Sequence, residues 1–148
     1  MKIFIDADGC PVVDIAVRTA RKYGAECTII CDTSHSIQRE GADTIIVDKG
    51  ADSADFRLVN LVSAGDIAVT QDYGLAAMCL SKRAVVLNQD GRRYTEENIF
   101  GLLEFRAVSA KIRRSGGRTK GMSKRTPQQD RDFERALVEI LEKDKLHC

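Results

Sequence analysis

Histidine is scarce in this chain, with His35 and His147 the only two among 148 residues. The five cysteines, Cys10, Cys27, Cys31, Cys79 and Cys148, are odd in number and lack a paired metal spacing. These two shortages argue against a zinc site and leave free thiols in a reducing cytoplasm as the expectation. No apolar run approaches the roughly 18 residues of a membrane span, so a membrane partner is not expected. The chain opens on one lysine, a short apolar run and then Asp6, which reads as a strand and not as a secretory leader. Internal repeats and low-complexity tracts are also missing. At this length the simplest organisation is one domain over 1–148, large enough for a real core.

What the chain does have is aspartate at the ends of apolar strands. Lys2–Ile5 runs into Asp6 and Asp8 before Pro11 opens a helix, and Ile67–Val69 runs into Thr70 and Asp72 before another helix. Between them, Gly50-Ala51-Asp52-Ser53-Ala54-Asp55 places two acids where a third helix starts. The strands are short apolar runs expected at 2–6, 26–32, 43–48, 66–70 and 84–88, as for buried parallel strands. Helices expected at 11–23, 53–64 and 72–82 alternate with them. The class is therefore α/β, with a mostly parallel sheet of about five strands and right-handed crossovers. The segment 34–40 reads as a polar loop or short helix, and Asp90-Gly91 as a turn. Thr95 is a candidate cap for a helix at 96–114. Thr126-Pro127-Gln128-Gln129 signals the start of a C-terminal helix at 127–145.

In a parallel α/β sheet the strand-to-helix turns share one edge, so acids from separate turns converge. Carboxylates in one crevice raise each other's pKa unless a cation joins them. Hard oxygen ligands suit Mg²⁺ or Mn²⁺. Asp6, Asp8, Asp52, Asp55 and Asp72 are the candidate ligands. Each has a plainer role beside it. Asp8 or Gly9 would cap the first helix, Asp52 and Asp55 would favour the start of the second, and Thr70 or Asp72 would cap the third. Cys10 stands near a helix start, where a thiolate is stabilised, although no histidine lies near it in sequence. His35 reads as a surface-loop residue within reach of the acidic edge.

The net charge of +1 hides an asymmetry. Residues 111–125 carry seven basic residues and no acid, while the rest of the chain is net negative. These are Lys111, Arg113, Arg114, Arg118, Lys120, Lys124 and Arg125. With Gly116, Gly117 and Gly121 among them, they read as a basic glycine-containing loop at 111–125 that grips phosphates. Lys111, Arg113, Arg114, Arg118 and Lys120 are the substrate-binding candidates, and Thr70 joins them as a phosphate or ligand orienter. No aromatic falls between residues 106 and 132. That favours backbone contact over base stacking.

With these residues assembled, the chain resembles the YaiI/YqxD family of uncharacterised bacterial proteins. The resemblance rests on DADGCPV at 6–12, GADSAD at 50–55, TQDYGLA at 70–76 and RRSGGRTKG at 113–121. The family in turn resembles PIN-like domains, whose α/β fold carries an acidic cluster binding Mg²⁺ or Mn²⁺ for RNA cleavage. The resemblance implies that the first-strand acid falls on Asp6, the mid-chain helix acid on Asp52 or Asp55, and the Thr-x-Asp on Thr70 and Asp72. The usual acid of the early helical region has no clear counterpart, and Asp8, Asp32 and Glu40 are the candidates for its place. The leading expectation is a metal-dependent nuclease acting on RNA, with Asp6, Asp55 and Asp72 catalytic and no protein nucleophile. One alternative is a haloacid-dehalogenase-like phosphatase, with Asp6 as nucleophile, Asp8 as acid, Thr70 on phosphate and Lys82 beside it. Another is a non-catalytic RNA-binding module.

Overall fold

The computed structural model describes residues 1–34, 36–49, 53–114 and 124–146. Strand β1 (Lys2–Asp6) is followed by α1 (Val13–Tyr23), β2 (Glu26–Asp32), β3 (Asp43–Val47) and α2 (Ser53–Leu61). Then come β4 (Ile67–Val69), α3 (Tyr73–Ser81), β5 (Val85–Leu87), β6 (Arg93–Tyr94), α4 (Glu96–Arg114) and α5 (Pro127–Leu146). The class is α/β, as expected, with a mostly parallel sheet between helices.

Alternation along the strands builds two cores. Ile3 and Ile5 face one side with Ile29, Val69 and Leu87, and α1 and α5 cover them through Val13, Ala16, Val17, Ala20, Phe133 and Leu137. The α1 residues recur at i, i+3, i+4 and i+7, one stripe of a helix. Phe4, Ile30, Ala68 and Val86 face the other side, under Leu58 of α2, Leu75 and Cys79 of α3, and Ile99 of α4. Helix α1 ends at Gly24, whose φ of 70° lets its N–H reach the Ala20 and Arg21 carbonyls.

The sheet has six strands in the order β3-β2-β1-β4-β5-β6. The first five are parallel, and β6 pairs antiparallel with β5. Sequence patterning expects about five. The sixth has two residues, too few for any periodicity to register. It is held by its turn: Asn88 N donates to the Arg92 carbonyl at 2.9 Å, and the Asn88 side chain accepts from Asp90 N and Arg92 N.

From β1 the chain runs outward through β2 and β3, then returns to add β4 on the other flank of β1. The strand order therefore reverses between β1 and β4. Open α/β sheets bind ligands outside the carboxyl ends of strands at such a point.

Helix α4 starts as expected, with a reciprocal cap in which Asn98 N donates to Thr95 Oγ1 and Thr95 N donates to Asn98 Oδ1. It continues to Arg114, so residues 111–114 are its last turn and not part of a loop. Among the described residues, no helix is long and apolar enough to cross a membrane.

Candidate acidic site at the switch point

Asp6 closes β1, and Thr70 directly follows β4. Because Ile5 pairs with Val69, these two are next along the adjoining strands. Thr70 is 1% exposed. Its Oγ1 donates to Asp6 Oδ2 at 2.8 Å and accepts from Asp72 N at 3.0 Å. Its backbone N donates to the Leu87 carbonyl, and its own carbonyl accepts from the Tyr94 hydroxyl at 3.2 Å. Thr70 is thus fixed on every polar atom, and it fixes Asp6 in turn. Gln71 Nε2 donates to the Gly9 carbonyl at 2.9 Å, which ties the two turns together.

Asp72 is the N-cap of α3, and its Oδ1 accepts from Gly74 N at 2.8 Å and Leu75 N at 3.1 Å. Its plainer role is therefore real, and it stands beside the acidic site at the same time. Asp8 behaves differently. The turn after β1 closes through Cys10 N to the Ala7 carbonyl, with Gly9 at a φ of 71°. Helix α1 then begins at Val13 with Val12 at the cap position and no side-chain cap, so neither Asp8 nor Gly9 caps it. Asp8 Oδ1 is sealed from solvent.

Burial raises the Asp6 carboxyl, the Thr70 hydrogen bond opposes it, and Asp72 and Asp8 add to the rise, leaving its pKa at about 6. Burial disfavours the charged form of a carboxyl, and neighbouring carboxylates add to that.

Asp55 lies in the first turn of α2. The charges acting most on Asp6 are those of Asp72 and Asp8, not Asp55. Asp55 is felt instead by Cys79 of α3, whose thiol burial pushes up to about 12, with Lys82 opposing and Asp55 and Asp6 adding. Among the described residues, no group of three or more His, Cys, Asp or Glu is arranged to hold a metal ion. Asp52 lies outside the described residues. The turns after β1 and β4 meet through the Thr70–Asp6 and Gln71–Gly9 hydrogen bonds.

Comparison with known proteins decides the family. The model of the uncharacterised YaiI/YqxD family matches residues 4–143. The chain belongs to the YaiI/YqxD family. A UPF0178 protein of Exiguobacterium sibiricum is 52% identical over 141 residues, covering 95% of this chain and 96% of that one. Another, from Ruminiclostridium cellulolyticum, is 51% identical over 138 residues, covering 93% and 90%. A crystal structure of Rae1 (YacP) from Bacillus subtilis overlays with a TM-score of 0.45 at 11% identity, covering 97% of this chain and 99% of that one. That likeness is too distant to bear on function.

The other candidates in this YaiI/YqxD protein separate clearly. Lys111 is exposed on α4, and Arg113 and Arg114 belong to its final turn. Arg118, Lys120 and His35 lie outside the described residues. Arg125 does not stand free for phosphate. It bonds Asp90 at 2.9 Å, Asp130 at 2.7 Å and the Gln89 carbonyl at 2.6 Å, joining the β5–β6 turn to α5. Lys82 Nζ donates to the Val59 carbonyl at the far end of α3 from Asp72. That bond ties the end of α3 to α2. Burial pushes the Cys10 thiol up to about 11, the opposite of the thiolate stabilisation expected at a helix start. Cys10, Cys27, Cys31 and Cys79 are free thiols. Sequence reasoning passed over Tyr73 and Tyr94. The only signal was Tyr73 standing directly after Asp72.

Proposed function

We propose that this YaiI/YqxD protein is a divalent-metal-dependent phosphodiesterase acting on RNA. The observation that carries the reading is the Asp6–Thr70 pair at the point where the strand order reverses, with Asp72 and Asp8 acting on Asp6. The resemblance of the family to PIN-like domains supports it.

The donors fit the proposed ion. Mg²⁺ is commonly held by one or two carboxylates, several waters and substrate phosphates, and not by an all-protein cage. Two turns supplying hard oxygens, with Asp72 and Asp8 adding to the rise of the Asp6 pKa, match that pattern. Asp6 and Asp72 would hold Mg²⁺ or Mn²⁺, with Asp8 assisting and Asp52 and Asp55 contributing from α2 and the segment before it. An ion bound there would acidify a coordinated water and offset charge developing on the phosphate oxygens. Thr70 holds Asp6 in its ionisable orientation. Lys111, Arg113, Arg114, Arg118 and Lys120 would hold neighbouring phosphates along the strand.

The test is cleavage of single- and double-stranded RNA and DNA with Mg²⁺ or Mn²⁺, against EDTA and against Asp72→Asn. Metal-dependent RNA cleavage lost in the variant supports the reading. RNA that binds with metal yet stays intact would replace it with a binding module.

A further inference from the structure

A hollow of about 560 Å³ opens beside the acidic turns, between the start of α3, the β5–β6 turn and the first part of α4. Its volume lies within the range of small-molecule sites. Tyr73, Asn88, Arg92, Arg93, Tyr94 and Asn98 line it, along with Gly101 and Leu102. It adjoins the acids directly: Tyr73 follows Asp72 in the chain, and the Tyr94 hydroxyl bonds the carbonyl of Thr70.

The frame of the hollow is set by its own polar side chains. Asn88 accepts from Asp90 N and Arg92 N, which shapes the turn. Asn98 takes part in the α4 cap and donates to the Arg93 carbonyl at 2.9 Å. Tyr94 is 4% exposed and meets the Tyr73 ring edge-on, 6.0 Å between centroids at 66°. That contact holds the half-buried Tyr73 ring in place on the wall. Arg92 and Arg93 are exposed, and among the described residues neither forms an ion pair. A preset aromatic ring beside two guanidinium groups is the equipment for a base and its phosphate, since rings stack on bases without sequence preference and arginine grips phosphate bidentately.

We infer that this hollow seats one nucleotide of a single-stranded RNA, its base on Tyr73 and its adjoining phosphate at Arg92 and Arg93. The inference rests on the phosphodiesterase reading and names the substrate class of that site. A duplex keeps its bases stacked inside, so the hollow selects single strands. It also changes the expectation drawn from the aromatic-free segment 106–132: base contact comes from α3, not from the basic stretch.

Gly101 supplies a clean probe. A Cβ there would meet nothing within 4 Å, so Gly101→Leu starts into open space at the wall of the hollow and improves helix propensity. The experiment measures binding of a labelled eight-nucleotide oligoribonucleotide, single-stranded and as a duplex, in EDTA. Competitors are adenosine 5′-monophosphate, uridine 5′-monophosphate and ribose 5-phosphate, and thermal melts check each variant's fold. The wild type is expected to prefer the single strand, with the nucleotides competing and ribose 5-phosphate failing to. Tyr73→Leu and Gly101→Leu should each weaken single-strand binding about tenfold or more, and Tyr73→Phe should retain it. Unchanged binding in Tyr73→Leu and Gly101→Leu overturns the inference, as does equal competition by ribose 5-phosphate, which would leave only a phosphate site on the arginines. Binding in EDTA is read apart from metal-dependent cleavage. Cleavage with no role for the hollow sinks this inference alone, and hollow binding without cleavage sinks the phosphodiesterase reading alone.

Discussion

Thr70 Oγ1 lies 2.8 Å from Asp6 Oδ2 and 3.0 Å from Asp72 N, so one hydroxyl orients the acid at the end of β1 and the turn that carries the acid after β4. Thr70→Val keeps the shape and removes both bonds. Stability should fall by about 1–3 kcal/mol, because buried partners lose their hydrogen bonds. The Asp6 pKa should rise above its present value of about 6, since this bond is what holds it down. Carbon-detected NMR titration of the Asp6 carboxyl checks it, and Thr70→Ser should restore both properties.

Asp6 also gives the fold a pH dependence. Its folded pKa of about 6 stands above the ordinary 3.8, so the native state holds the proton more tightly than the unfolded chain. Its contribution to stability is complete below about pH 4 and is lost as pH rises through about 6. Asp6→Asn should therefore be more stable than wild type at pH 8 without divalent cations, by about 3 kcal/mol at most, and the advantage should vanish by about pH 4. Added Mn²⁺ should stabilise the wild type and leave the variant unmoved. A variant that melts below wild type at pH 8 in EDTA would contradict this.

Asp72 both caps α3 and stands in the acidic site, and two substitutions separate these roles. Asparagine caps as well as aspartate, so Asp72→Asn should keep its melting temperature while metal-dependent cleavage falls by orders of magnitude and RNA binding survives or tightens. Asp72→Ala should lose about 1 kcal/mol of stability in addition. Cleavage unchanged in Asp72→Asn would show that the activity arises elsewhere.

The basic residues should divide by role. Replacing Arg113, Arg114 and Arg118 by alanine should weaken RNA binding for all sequences alike and lower the log–log salt slope by about one unit or less per residue, through counterion release. Arg125→Ala should do the reverse. It removes the ties to Asp90, Asp130 and Gln89, so it should cost about 1–3 kcal/mol of stability while the salt slope holds. Salt titrations beside thermal melts read both. Equal affinities and slopes for the triple variant and wild type would make 111–125 a solvated stretch.

The sequence by itself determined the elements and most of their ends. Short apolar runs marked β1 to β5, Thr95 and Thr126 marked the starts of α4 and α5, and polar residues at strand ends marked Asp6, Thr70 and Asp72 as residues to watch. These are local signals, set by side-chain period, capping and turn chemistry. Tertiary structure alone decided which turns would meet. Asp6 and Thr70 are 64 residues apart and touch because β4 adds beside β1. Arg125 looked like part of a phosphate grip until its partner 35 residues back, Asp90, was brought beside it. The two residues of β6, and with them the Tyr73–Tyr94 wall, carried no pattern to read. Strand order and ion pairing across elements are settled by packing of the whole sheet, and no local stretch of sequence encodes them.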